Sequence, residues 1–303
     1  MVPGTSPGMT EWGGGRPPHT ANPPARLPLA IQRTLWHSRG KPIEGTTTMT
    51  GSVKITVKDY IATIVMDRPP VNAQNSEFRQ ELIAAFDSMT DRDDVRVVIL
   101  TGTGSMFSAG ADMRERPNPE NKGEYWHFNR LARESFNAIQ ECSKPVIAAV
   151  NGPALGAGLG LVAHCDIILC SENAVLGMPE IDVGLAGGAA MLQTLFGKSR
   201  ARRMFFTGWR VPADELYRTG VAECCVPLEQ LMPEAMKLAT EIASKTPVGM
   251  HYAKQSMNTT MHMPPRDGYR WEQGVTVMLS RTEDAQEARQ AFIEKRKPVW
   301  KGR

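Results

Sequence analysis

The chain has 303 residues, 41% hydrophobic and 22% charged, which is ordinary for a globular enzyme and enough for a sizeable core. Its formal charge of +3 resides in residues 1–48, where Arg16, Arg26, Arg33, Arg39 and Lys41 face Glu11 and Glu44; the remainder is neutral. A neutral body excludes the broad cationic surface of a nucleic-acid binder. The longest apolar stretch, Pro145 to Ala163, is broken by Asn151, Pro153 and glycines, so no membrane span is expected.

Residues 1–48 hold eight prolines and seven glycines without a sustained apolar period, and a disordered extension is expected there. The segment is Arg-containing and acid-poor, as transit peptides to an organelle matrix are. Pro17-Pro18, Pro23-Pro24 and Gly13 to Gly15 would, however, break the amphipathic helix such a peptide needs. A translation start at Met49 and a cytoplasmic protein are therefore expected, with an organelle matrix as the alternative if the extension is a transit peptide.

From Met49 the pattern is regular. Val53, Ile55 and Val57 alternate with polar neighbours, and Ile61 to Met66 follows Lys58-Asp59-Tyr60, which predicts a hairpin. Asn75 or Ser76 can cap a helix that carries Phe78, Leu82, Ile83, Phe86 and Met89 on one face. Val97 to Leu100, Val146 to Val150 and Ile167 to Cys170 are short apolar runs separated by helical or glycine-rich sequence, which predicts an α/β core over 49–247. After Pro247 only helical patterns appear, at Tyr252 to Met263, Tyr269 to Ser280 and Glu283 to Lys295. A helical segment over 248–303 is too small for its own core and must pack on the body or on another subunit. The five cysteines, Cys142, Cys165, Cys170, Cys224 and Cys225, form no C-x-x-C pair and lie mostly in apolar stretches, as reduced core residues do.

Two segments carry the chemistry. Phe107-Ser108-Ala109-Gly110-Ala111-Asp112-Met113-Arg114 follows one predicted strand, and Asn151 to Leu161, rich in glycine and alanine, follows another and enters a helix near Ala157. Small residues at strand ends admit a ligand to the backbone, and a helix start offers unpaired N–H groups to an anion. No G-x-S-x-G elbow, dinucleotide fingerprint, P-loop or metal-ligand spacing accompanies them.

These segments, together with Leu176 to Glu180, Ala189 to Gly197, Phe206-Thr207-Gly208 and Ala291 to Pro298, resemble the crotonase (enoyl-CoA hydratase/isomerase) superfamily from about Val53 onward. The resemblance implies a ββα spiral with a C-terminal helical trimerisation region, assembled as a homotrimer or a dimer of trimers. It implies an acyl-CoA thioester as substrate, with coenzyme A arriving as part of that substrate and no separate cofactor or metal. The oxyanion donors fall on the N–H groups of Ala111 and Ala157. Contacts to CoA fall on Ala109 and Arg114, and on Phe292 and Lys295 from a neighbouring subunit; Asp112, Met113, Gly156 and Gly160 complete the expected substrate-lining set.

Of the family's two hydratase glutamates, the later falls on Glu180 and the earlier on Gly160, which has no side chain. One carboxylate suffices to move a proton between two carbons of an enolate, so double-bond isomerisation is expected ahead of two-glutamate hydration. Hydration would need water oriented otherwise, for instance by Asp112 or Asp182, for which loop capping is the plainer role. The alternatives are hydratase-lyase, thioester hydrolase or decarboxylase chemistry, or a silent CoA-binding trimer. His164 is expected to be a satisfied core histidine, and Glu124-Tyr125-Trp126-His127-Phe128 to serve mainly in packing, with a bulky acyl group as the alternative.

Overall fold

The computed structural model of the chain describes residues 47–303. The extension falls outside the described residues except for Thr47 and Thr48, which open the first strand two residues before the boundary that composition suggests.

The chain lays down β1 (Thr47–Thr50), β2 (Val53–Lys58), β3 (Ile61–Met66), α1 (Ser76–Ser88) and β4 (Val97–Gly102). Then follow α2 (Lys122–Glu141), β5 (Val146–Val150), β6 (Ala154–Leu155), α3 (Ala157–Ala163), β7 (Ile167–Ser171) and β8 (Val175–Gly177). Next come α4 (Ala189–Leu195), α5 (Lys198–Thr207), β9 (Arg210–Pro212), α6 (Ala213–Arg218), β10 (Cys225–Val226) and α7 (Leu228–Ala243). The chain closes with α8 (Pro247–Thr260), α9 (Pro265–Leu279) and α10 (Glu283–Glu294). Asn75, rather than Ser76, caps α1, its side chain accepting from the Phe78 N–H at 3.0 Å.

A seven-stranded sheet runs β1-β2-β3-β4-β5-β7-β10, antiparallel through β3 and parallel from there on. A second sheet, β6-β8-β9, takes the short strands that follow β5 and β7. The repeated order of a long strand, a short strand and a helix is the expected ββα spiral.

The central strands read as continuous apolar runs because both their faces are covered. Val97 and Ile99 of β4 and Ile147 and Ala149 of β5 pack on Leu231, Ala235, Ala239 and Ala243 of α7. Val98, Leu100, Val146, Ala148 and Val150 face the larger core, with Phe78, Leu82 and Phe86 of α1 and Phe136 and Ile139 of α2. Each fully buried Leu, Ile or Phe here contributes about 1.5–3 kcal/mol.

The C-terminal helices dock on their own chain. Lys254 of α8 is buried against Asp166 at 2.8 Å, and its ammonium also donates to the Ile139 and Lys144 carbonyls. Asn258 donates to the Gln140 carbonyl at 2.8 Å. Further out, Tyr269, Val277, Phe292 and Ile293 are left exposed. All five cysteines are free thiols. Among the described residues no helix is long and apolar enough to cross a membrane.

Candidate active site

Two strand-end loops meet at the site because the chain pairs them in parallel. Beyond β4, Ser108 bridges to Ala154 of β6, with the Leu155 N–H donating to the Ser108 carbonyl at 2.9 Å. Ala111 lies three residues past one partner of that bridge and Ala157 three past the other, and Gly110, next to Ala111, closes on the Ala157 nitrogen. A methyl group on Gly110, whose φ is +90°, would lie 2.6 Å from the Leu155 carbonyl oxygen and 3.1 Å from the Ala157 nitrogen. Only glycine permits that approach.

The first loop is held by polar side chains that are themselves buried. Ser108 Oγ donates to the Asn72 carbonyl at 2.7 Å and accepts from Gln74 Nε2 and the Gly110 N–H. Asn72 Nδ2 donates to the Thr103, Met106 and Phe107 carbonyls. The Gln74 N–H donates to the Gly110 carbonyl, and the Asp112 N–H donates to the Gln74 carbonyl. Between those bonds the Ala111 N–H is left without an acceptor among the described residues, and so is the Ala157 N–H at the first position of α3. Two unpaired N–H donors, one of them at a helix start, have the chemistry to receive an anion.

Glu180 stands beside this pair. It lies on a 3-10 turn, Pro179–Val183, whose proline occupies the first position. Its carboxylate overlies Gly156: a methyl group built on Gly156 would collide with Oε1. Gly156 also has φ +54° and ψ −119°, which side-chain-bearing residues avoid. Glu180 Oε2 is buried and has no hydrogen-bond partner. Burial pushes the Glu180 carboxyl above its ordinary range, against a weaker opposing pull from a backbone hydrogen bond and from the Arg116 guanidinium. A carboxylate so placed is a stronger base than one in water.

At Gly160, one turn further along α3, the surroundings are apolar. A methyl group there would lie 2.7 Å from Phe136 Cζ, 2.8 Å from Phe136 Cε1 and 3.2 Å from Met191 Sδ. The volume of a side chain at 160 is thus occupied by a ring from α2 and a thioether from α4. Sequence offers no sign of this contact, since Phe136 reads simply as part of the apolar face of its helix. Gly160 is buried, and its carbonyl is taken by His164 Nδ1.

Of the carboxylates considered for orienting water, Asp112 is engaged by arginines and Asp182 lies exposed. Asp112 caps the 3-10 turn Met113–Glu115, accepting from the Arg114 N–H at 3.1 Å, from Arg114 Nε and Nη2, and from Arg68 Nη1 at 2.9 Å. The Arg114 hydrogen bonds, followed by that from Arg68, hold its carboxyl far below the usual range, which makes it a poor proton acceptor. Loop capping is thus the role that the geometry shows for Asp112. Asp182 is exposed and sits against Gly208 at the end of α5, where a methyl group would lie 2.9 Å from its Oδ2.

His164 accounts for itself structurally. Its Nδ1 meets the Gly160 carbonyl at 2.7 Å, its ring stacks on Phe136 with centroids 5.3 Å apart, and burial lowers its pKa. Ala109 donates its N–H to the Val71 carbonyl at 2.9 Å, and Met113 and Arg114 are exposed, Arg114 leaning back onto Asp112. Phe292 is 86% exposed and Lys295 ends α10 with φ +55°; neither bonds to the Ala111–Ala157 region of its own chain. Of the aromatic run, Phe128 is buried while Trp126 is 70% exposed, so packing explains only the former.

The sequence profile of the enoyl-CoA hydratase/isomerase family matches residues 56–303. The chain is 36% identical over 248 residues to a (7aS)-7a-methyl-1,5-dioxo-2,3,5,6,7,7a-hexahydro-1H-indene-carboxyl-CoA hydrolase of Rhodococcus jostii, covering 82% of this chain and 96% of that one. It is 35% identical over 263 residues to a carnitinyl-CoA dehydratase of Salmonella enteritidis, covering 84% of this chain and all of the relative. Among solved structures, an enoyl-CoA hydratase from Bacillus anthracis superposes with a TM-score of 0.79 at 32% identity, over 84% of this chain and 100% of that one. An enoyl-CoA hydratase from Mycobacterium smegmatis does so with a TM-score of 0.79 at 27% identity, over 83% and 99%. By sequence and by fold, the chain belongs to the enoyl-CoA hydratase/isomerase family, the crotonase superfamily of enzymes.

Proposed function

We propose that the protein binds an acyl-CoA thioester and shifts a carbon–carbon double bond through an enolate, with Glu180 as its one acid/base. The thioester oxygen is received by the Ala111 and Ala157 N–H groups. Glu180 takes a proton from Cα, the enolate negative charge grows on the thioester oxygen, and the same carboxyl returns the proton at Cγ. Each oxyanion donor is worth about 3–4 kcal/mol because it strengthens as the charge develops. The observation that carries this reading is the contrast along α3, with a carboxylate over Gly156 and a phenyl ring over Gly160.

A second reading draws support from the relatives. The Rhodococcus jostii protein is named a CoA hydrolase and the Salmonella enteritidis protein a dehydratase, and either reaction can use the same backbone donors with Glu180 acting on water. Incubation with 2-enoyl, 3-enoyl and aromatic acyl-CoA thioesters in deuterium oxide separates the readings. Label at Cα and Cγ without net hydration is expected; hydrated or hydrolysed product in place of label overturns the isomerase reading. Binding of thioesters without label or turnover would instead indicate a silent trimer.

The exposed apolar residues of α9 and α10 support a homotrimer or dimer of trimers, with Phe292 and Lys295 reaching a neighbour's CoA. Light scattering checks the assembly. Phe292→Ala is expected to weaken CoA binding severalfold without altering the chemistry of bound substrate.

A further inference from the structure

Gln74 grips the Ala111 loop in three ways. Its N–H donates to the Gly110 carbonyl at 2.8 Å, its carbonyl accepts from the Asp112 N–H at 3.0 Å, and its Nε2 donates to Ser108 Oγ at 3.2 Å. Gln74 and Ala111 also form an isolated parallel bridge. Gln74 directly precedes Asn75, the cap of α1, so the grip comes from the end of a helix.

The first of these bonds aims a donor. In a trans peptide the C=O and the N–H point in opposite directions. The Gly110 carbonyl and the Ala111 N–H share one peptide plane, so pinning that carbonyl to Gln74 turns the Ala111 N–H away from it. The other side of Gly110 is pinned as well, its N–H donating to Ser108 Oγ at 3.2 Å. Ser108 also carries the link to the second donor, because its carbonyl accepts from the N–H of Leu155, two residues before Ala157.

The Ser108 hydroxyl is saturated. Its one proton goes to the Asn72 carbonyl at 2.7 Å, and its two acceptor positions take Gln74 Nε2 and the Gly110 N–H. The atom of Gln74 that faces Oγ must therefore be a donor, which fixes the orientation of the amide. Both side chains are fully buried. At the other end of the amide, Gln74 Oε1 is buried without a hydrogen-bond partner among the described residues. A buried acceptor without a donor costs stability, and an apolar side chain of similar length would avoid that cost. Packing alone is thus a poor reason for an amide at 74, whereas holding the Ser108 hydroxyl requires one.

We propose that Gln74 is a positioning residue for the reaction, acting through the Ser108 hydroxyl to hold the Gly110–Ala111 peptide so that the Ala111 N–H meets the thioester oxygen. The proposal rests on the acyl-CoA reading and deepens it by one residue outside the oxyanion pair. Gln74 touches no reacting atom. It sets the direction of a donor, and with it the polarisation of the carbonyl rather than the affinity of the site.

The test is Gln74→Met, read on the carbonyl itself. Benzoyl-CoA labelled with carbon-13 at the thioester carbonyl has no Cα proton to lose, and infrared difference spectra report how far its stretch falls on binding. Gln74→Met should bind it within a few fold of the wild type but with a smaller down-shift. For α-proton exchange from an enolisable thioester, kcat should fall about tenfold with KM nearly unchanged, less than the 10²–10³-fold of a donor removed outright. The melting temperature should equal or exceed that of the wild type. Ser108→Ala should also reduce the down-shift, and adding Gln74→Met to it should reduce it no further, because the amide acts through the hydroxyl. A wild-type down-shift and exchange rate in Gln74→Met, or a further loss in the double variant, overturns the inference and leaves the acyl-CoA reading intact. A Gln74→Met protein that melts well below the wild type or does not fold makes the amide structural and overturns it likewise. Wild-type protein that neither binds benzoyl-CoA nor exchanges the α-proton of any thioester overturns the acyl-CoA reading, and the inference with it.

Discussion

Gly156, which caps α3, and Gly160 within it stand one helical turn apart, joined by a 3.0 Å bond from the Gly160 N–H to the Gly156 carbonyl, and they are glycine for opposite reasons. Over Gly156 lies a carboxylate that needs the space and a backbone that needs positive φ. Over Gly160 lie a phenyl ring and a thioether that have taken the space. The first leaves the Glu180 carboxylate beside the unpaired Ala111 and Ala157 N–H groups, and the second fills the space that a further side chain would take. One residue type thus marks a polar, working end and an apolar, filled end of the same short helix.

The comparison is broken most sharply at Glu180. Glu180→Gln should lower α-proton exchange about 10²–10⁴-fold, the usual contribution of a general acid/base. Stability should not fall with it. Because the folded carboxyl is raised above its ordinary value, the folded state holds the proton more tightly than the unfolded one. Glu180 therefore favours folding below the usual glutamate range, and that contribution is lost as pH rises through the raised value. Melting curves against pH should show this decline in the wild type and a flatter profile in Glu180→Gln.

Next in size is Ala157→Pro, which removes one donor at the first helical position, where proline fits a helix. A drop in kcat of about 10²–10³-fold is expected, with circular dichroism checking that the fold is kept. Gly156→Ala should combine the collision with Glu180 and the positive φ, costing about 1–3 kcal/mol of stability and most of the activity.

The filled end gives the smallest but most diagnostic effects. Gly160→Glu should by itself lose about 1–3 kcal/mol from overpacking against Phe136 and Met191 and gain no hydration. Paired with Phe136→Ala, the same glutamate should be tolerated better than the sum of the two single changes predicts, because the sites share one volume. Urea denaturation of the four-member cycle measures that coupling. Strictly additive losses would mean that the ring does not occupy the glutamate's place.

Much of this arrangement could be read before any coordinates. β2, β3, β4, β5 and β7 announce themselves as alternating or continuous apolar runs, and Ala111 and Ala157 lie in runs of small residues at strand ends. β6 and β10, with two residues each, are too short to display a period, and β8 and β9 are scarcely longer. Yet it is β6, through Ser108 and Ala154, that ties the two loops together. Phe136 was illegible as a site residue because an apolar helix face does not say which of its rings reaches a glycine 24 positions later. Gln74 was equally hidden, since a glutamine at a helix start ordinarily points to water, and only its burial reveals an amide that holds a serine hydroxyl. Asp112 shows the converse, an acid in the right motif whose carboxylate two arginines have already occupied.

The most direct test of the central claim is the rate of α-proton exchange from a bound acyl-CoA in deuterium oxide, compared between wild type and Glu180→Gln, with CoA affinity measured on the same samples. The single-carboxylate account predicts rapid exchange in the wild type, its loss in the variant, and affinities within a few fold of each other. Undiminished exchange in Glu180→Gln would contradict it.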